Sequence, residues 1–293
     1  MPSWEGKSKG TTLGYRIFVS VLKNFGVGPA YFLLRIVALY YLLFSWKSSS
    51  VAYKFYRNRL KYSFFGSFIA VYKNYYWFGQ SIIDKFVVMS GIPNRFTFDF
   101  DGEQHLRAMV EAGRGGLLLS AHIGNWEIAG HLLKRLDTSI NIVLFDGEHE
   151  NIKQYTDSVT GKRQVKIIVL KNDLSHIYAI NDALQNNELV CMHADRFLEG
   201  NKTSEVSFLG EPARFPLGPF IIATRFKVPV SYVFAMKESN LHYHFFASEI
   251  QNNFESGKNE AMGRLLNDFA AEMENKVRTY PLQWYNFYNF WQQ

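Results

Sequence analysis

Five positions separate His122 from Glu127 in the stretch Leu117-Leu118-Leu119-Ser120-Ala121-His122-Ile123-Gly124-Asn125-Trp126-Glu127. In one continuous helix the two side chains would sit roughly 140° apart and could not touch. Gly124 lies between them and permits a sharp bend. A carboxylate that accepts a hydrogen bond from one ring nitrogen fixes the other as a proton acceptor, which makes the imidazole a better base. Such a base can take a proton from a substrate hydroxyl while that oxygen attacks an acyl carbon. The residues alone leave a second reading open, a histidine buried and satisfied beside an apolar strand.

The elements around this stretch must place it. The apolar run before His122 predicts a strand over Gly116–Ala121. Ile128, Leu132, Leu133 and Leu136 recur at helical spacing after it. Strand, turn, helix is the expected local order, with the histidine at the strand's end. Further strands are expected at Phe96–Phe100, Ile140–Leu144, Val165–Leu170, Leu189–Met192, Val228–Phe234 and Leu241–Phe246. Helices are expected at His105–Ala112, Ser175–Gln185, Leu217–Phe226 and Ala261–Val277. This alternation predicts an α/β fold, a mostly parallel central sheet flanked by helices.

The N-terminal third has a different texture. Ala30 to Phe44 is a nearly unbroken apolar run with Arg35 close to its middle, and an arginine at the centre of a bilayer costs about 2.5 kcal/mol or more. A helix lying in the membrane interface therefore fits better than a full span, beside the alternative of a buried core helix. Tyr53, Tyr56, Leu60, Phe64 and Phe68 continue at helical spacing, and two amphipathic, aromatic-rich helices are expected over 48–92. Ser90-Gly91-Ile92-Pro93-Asn94 breaks the pattern. The expected division is a helical membrane-associating region, 1–92, and an α/β catalytic domain, 93–293.

Composition limits the function classes. The 293 residues are 47% hydrophobic and 20% charged, which excludes a disordered chain. The net charge of +6 is unevenly spread: residues 1–100 hold 13 Lys/Arg against three Asp/Glu, while the rest of the chain is net acidic. Basic charge mixed with apolar runs suits an anionic membrane surface and not nucleic acid. The polar start lacks a signal-peptide core, so no signal peptide is expected. One cysteine, Cys191, rules out an intrachain disulfide and is expected to be a buried apolar residue, not a nucleophile. No G-x-S-x-G elbow is present, Arg114-Gly115-Gly116 lacks the lysine of a phosphate loop, and His242 with His244 has no further ligand nearby in sequence. No metal and no cofactor are expected.

Ala121-His122-Ile123-Gly124-Asn125-Trp126-Glu127 resembles the H-x-G-N-W-E form of the H-x4-D/E motif in the bacterial lipid A late (lauroyl/myristoyl) acyltransferases. His193-Ala194-Asp195-Arg196-Phe197-Leu198-Glu199-Gly200 resembles the acidic block of that family. Phe208-Leu209-Gly210-Glu211-Pro212-Ala213, then Gly218, Ala223 and Val228-Pro229-Val230, is similar to its F-x-G-x-P-A … G … A … P-V segment. Tyr280-Pro281-Leu282-Gln283-Trp284-Tyr285 resembles its P-x-Q-W tail. Four ordered matches cover nearly the whole chain.

The resemblance implies transfer of an acyl group from an acyl carrier protein or acyl-CoA thioester to a lipid acceptor such as a lipid A precursor. It implies His122 as general base with Glu127 polarising it. Asn125, Arg163, Asp195, Arg196 and Arg214 become the candidate substrate-binding residues. The oxyanion is expected to meet one of the arginines, or backbone N–H groups near Asn125. The implied place is the cytoplasmic face of a bacterial inner membrane. Asp195-Arg196 stands where the family has Asp-Gln, and the start of the chain differs from the familiar enzymes, so an aminolipid or a polyene acceptor stays open. A catalytically inactive lipid-binding protein and a thioesterase are the competing expectations.

Overall fold

The computed structural model describes residues 12–144, 166–170, 173–197, 200–255 and 257–292. Before the apolar run lies a helix for which the sequence carried no expectation, α1 (Thr12–Phe25). It is followed by α2 (Val27–Phe44), α3 (Trp46–Lys54), a π-turn at Phe55–Arg59, and the long α4 (Phe64–Met89). Ser63 caps α4 by accepting the Gly66 backbone N–H. Then come β1 (Thr97–Asp101), α5 (Glu103–Glu111), β2 (Gly116–Ser120), α6 (Trp126–Leu132), β3 (Ile140–Leu144) and β4 (Lys166–Val169). After them run α7 (Ser175–Gln185), β5 (Leu189–His193), β6 (Thr203–Phe208), β7 (Glu211–Pro216) and α8 (Gly218–Phe226). The last elements are β8 (Val230–Ser239), β9 (His242–Ala247), α9 (Lys258–Thr279) and two 3₁₀ turns, Pro281–Gln283 and Phe290–Gln292.

Seven strands form one sheet in the order β1-β9-β8-β2-β5-β3-β4. Every pair in it is parallel except β8 with β9. β2 is central and buried along its whole length, as a strand covered on both faces must be, and this is why it reads as an unbroken apolar run. Its carboxyl end lies beside that of β5, with Ser120 in register with His193. In open sheets of this kind the ligand crevice forms outside the carboxyl ends of the strands.

The β6–β7 hairpin was not expected. Its two-residue turn is Leu209-Gly210, both with left-handed backbone (φ 52° and 82°), as a primed hairpin turn requires. Leucine is a poor signal for that conformation. Here the Glu274 carboxylate holds the turn by accepting the Leu209 N–H at 2.6 Å.

The helical region is fastened to the sheet. One buried cluster joins Ala38, Ala52 and Val71 with Leu117 and Leu119 of β2, so the core crosses the boundary expected near residue 92. α2 packs on α4 through Ala30, Tyr31, Leu34 and Ala38 and leaves Phe32, Ile36, Leu39, Tyr40, Leu43 and Phe44 exposed. Arg35 is exposed among those residues. Among the described residues, Val27–Phe44 is the one helix long and apolar enough to cross a membrane.

Candidate active site

β2 delivers the chain to His122, and a tight bend then launches α6. Gly124 makes that bend with φ +66°, and a Cβ there would come within 2.1 Å of the Ala235 carbonyl oxygen. Only glycine fits so close an approach to β8. The bend is pinned on both sides: Gly124 N–H donates to the Gln283 carbonyl at 2.9 Å, and Asn125 N–H to that of Ala235 at 2.7 Å. The Tyr285 N–H donates to the His122 carbonyl at 3.0 Å. The C-terminal segment thus runs antiparallel beside the loop and holds it by backbone hydrogen bonds.

The carboxylate on the His122 ring is Asp195. Ring Nδ1 lies 2.8 Å from Oδ1, and the backbone N–H of His122 donates to Oδ2 at 3.0 Å. Asp195 is buried and the His122 side chain retains 21% exposure. A carboxylate on Nδ1 fixes the N–H there and leaves Nε2 as the acceptor. This corrects the expected pairing with Glu127. The bend at Gly124 turns the first residues of α6 toward α4, where Glu127 accepts from Lys85 at 2.5 Å. Asp195 reaches the ring because β5 is the hydrogen-bonded neighbour of β2 and continues past it, with Ala194 N–H donating to the Ser120 carbonyl.

Electrostatics keep His122 in its basic form. Burial lowers its pKa first and the Arg196 charge lowers it further; Asp195, by charge and hydrogen bond, and Glu127 by charge oppose them, and the net shift is downward from 6.5. Burial alone would raise the Asp195 carboxyl, but His122, Arg196 and His193 together outweigh it and hold it well below the ordinary carboxylate range. Burial pushes the Cys191 thiol up to about 12, which removes it as a nucleophile at neutral pH.

The other expected residues fall in different places. Asn125 is buried; its amide donates to the Ser81 carbonyl and the Tyr243 hydroxyl, and its oxygen accepts from Ile128 N–H at the start of α6. It faces the interior. Arg196 donates to the Tyr285 carbonyl at 2.7 Å and lies over the Tyr288 ring, so it fastens the C-terminal segment beside the base. Arg214 pairs with Glu205 on the half-exposed β6–β7 hairpin, away from His122 in its bonding. Arg163 lies outside the described residues. The backbone N–H groups of 122–125 are all taken, by Asp195, Ala121, Gln283 and Ala235 respectively, so none of these four is left to meet an oxyanion.

Two neighbours escaped the sequence. His193 stacks on His122 with ring centroids 4.3 Å apart and planes 28° from parallel, and Trp126 meets His193 edge-on at 4.7 Å. Among the described residues, His122, His193 and Asp195 form the one group whose ligand atoms lie close enough to hold a metal, within 4.8 Å. Stacked imidazoles, however, direct their in-plane lone pairs along near-parallel planes and do not converge on one ion as they stand.

Known proteins match this chain in sequence. The family described as "Bacterial lipid A biosynthesis acyltransferase" matches residues 71–293. A phosphatidylinositol mannoside acyltransferase of Mycobacterium tuberculosis is 31% identical over 123 residues, which are 42% of this chain and 39% of that protein. The one from Mycolicibacterium smegmatis is 27% identical over 194 residues, 64% of this chain and 60% of its own length. The matched stretches thus span less than two thirds of these relatives. A solved structure, the 1-acyl-sn-glycerophosphate (LPA) acyltransferase PlsC from Thermotoga maritima, overlaps 85% of this chain and 97% of its own at 13% identity and a TM-score of 0.34. So distant an overlap adds no argument about the site.

Proposed function

The chain belongs to the bacterial lipid A biosynthesis acyltransferase family, and from that premise we propose that it moves a fatty acyl chain from an acyl carrier protein or CoA thioester to a hydroxyl or amine of a lipid acceptor. The observation that carries the reading is the Asp195-held His122 at the carboxyl end of β2, with Nε2 left as acceptor. Nε2 takes the acceptor's proton as its oxygen or nitrogen bonds to the thioester carbonyl carbon. The tetrahedral adduct collapses, the carbon–sulfur bond breaks, and the departing thiolate takes the proton back from the imidazolium. No acyl-enzyme and no cofactor enter the scheme. A lipid A precursor is the acceptor that the family's description favours; the mycobacterial relatives, named for phosphatidylinositol mannoside, widen the class to lipid-linked sugars.

The test supplies the full-length protein with radiolabelled acyl-CoA and acyl-carrier-protein in the presence of lipid extract. Label is expected in a lipid product. Label recovered only as free fatty acid would make the protein a thioesterase, and unconsumed thioester would make it a binding protein.

On the same reading the protein lies on an anionic membrane, at the cytoplasmic face of the inner membrane. The exposed rings and aliphatic chains of α2, with Phe64, Phe65, Phe68 and Ile69 at the start of α4, make an apolar face, and basic residues crowd that third of the sequence. Arg35 on this face argues for a helix lying in the interface and not across the bilayer. Converting Ile36 and Leu43, both exposed, to Asp should reduce co-flotation with phosphatidylglycerol-containing vesicles about tenfold or more. Undiminished flotation of that variant would remove this face as the membrane contact.

A further inference from the structure

We infer that His193 is a positioning residue for the reaction: its ring, stacked on His122 and met edge-on by Trp126, sets the plane of the base and keeps water from its face. The inference rests on His122 being the base.

The geometry is specific to this pair. His193 ends β5, in register with Ser120 at the end of β2, so the two strands bring the imidazoles together wherever the sheet forms. One ring stacks on the other at 4.3 Å while Trp126 meets both edge-on, at 4.7 Å for His193 and 6.2 Å for His122. Asp195 fixes one edge of the His122 ring, which by itself still allows the ring to tilt about that bond. A flat neighbour on its face removes that freedom. His193 Nδ1 is buried and has no hydrogen-bond partner among the described residues. Burial, His122 and Arg196 together hold His193 neutral far into the acid range, against the opposing pull of Asp195 and the Ala121 backbone. It therefore contributes a flat, uncharged surface beside a ring that must accept a proton.

Removing that surface should change the base in a stated direction. The charged and titratable groups facing His122 are Asp195, Arg196 and His193 from β5 and its continuation, and Glu127 from α6, the last paired with Lys85 of α4. All but His193 stay in place when it is replaced. In His193→Ala, water enters against the ring, the burial that depresses the His122 pKa falls, and that pKa rises toward 6.5. Activity needs the unprotonated form, so the acid limb of kcat/KM moves to higher pH. The looser ring lowers kcat by roughly tenfold or more, with KM little changed. His193→Phe restores the flat face without an imidazole; it should return kcat to within about threefold of wild type and move the acid limb back.

The experiment compares wild type, His193→Ala, His193→Phe and His122→Ala in the labelled-transfer assay across pH, with melting temperatures recorded. Wild-type kcat and acid limb in His193→Ala would overturn the inference. So would a large loss in His193→Phe at wild-type melting temperature, a result that stands even where the Ala variant fails to fold. Retained turnover in His122→Ala would refute the base itself, a failure distinct from either of these.

Discussion

Asp195→Asn is expected to lower kcat for acyl transfer by roughly 10²- to 10⁴-fold, about as much as His122→Ala, while KM for both substrates stays close to wild type. The reason lies in the bond to Nδ1. A carboxylate there accepts the ring N–H, leaves Nε2 as the acceptor and stabilises the imidazolium that forms in mid-reaction. An asparagine can present its amide N–H to Nδ1 instead, which puts the proton on Nε2 and disables the base. It also forfeits the charge that opposes the downward pull of burial and Arg196 on the His122 pKa. Glu127→Gln breaks the pair with Lys85 but leaves the partner of the ring in place, so its loss should be at least tenfold smaller. Steady-state kinetics on the three variants decide the assignment. A Glu127→Gln loss equal to that of Asp195→Asn would return Glu127 to the role read from the sequence.

That contrast shows where the sequence was informative. Strand, bend and helix around His122 were legible because the side-chain period changes there and because Gly124 is needed at one point. The partner of the ring was not. Asp195 stands 73 positions along the chain, and it becomes a neighbour only because β5 is hydrogen-bonded to β2, a choice of strand order that no local pattern encodes. Glu127 looked like the partner because it is near in sequence, and the same bend that allows the approach turns it toward Lys85. Asn125 is a related case: a polar residue in a motif suggests a ligand, and the structure shows its amide capping α6 and bonding inward to Ser81 and Tyr243. The alternation of strands and helices gave the α/β class, while the Leu209-Gly210 hairpin stayed hidden behind a turn residue of unusual type. The apolar face of α2 was visible as a run of hydrophobic residues. Which half of it is buried depends on α4, and that required the packed structure.

Lys237→Met should destabilise the protein by about 3–5 kcal/mol, the usual result of removing one member of a buried ion pair. Lys237 sits in β8 with 1% exposure, and its ammonium bonds to the Asp84 carboxylate of α4, itself at 0%. Tyr31 of α2 and Tyr243 of β9 both donate to Asp84, Lys237 donates to the Tyr31 hydroxyl at 2.7 Å, and Asn125 donates to Tyr243. The cluster therefore joins α2 and α4 to the sheet and to the residue that caps α6. Burial pushes the Asp84 carboxyl up and the Lys237 ammonium down, and each is held charged by the other. Without Lys237 the carboxyl must either stay ionised in a dry interior or take up a proton, and at neutral pH both cost stability. Its folded pKa then lies above its unfolded one, so the penalty grows as pH rises and shrinks as pH falls toward the unfolded carboxylate value. Thermal melts should show the variant roughly 10 °C below wild type at pH 7.5, with a smaller gap at pH 5. Adding Asp84→Asn keeps an acceptor for the tyrosine hydroxyls and removes the stranded charge, so the double variant should recover most of the loss and lose the pH dependence. A single variant that melts like wild type, or a double variant no better than the single, would show that the pair does not fasten the helices to the sheet.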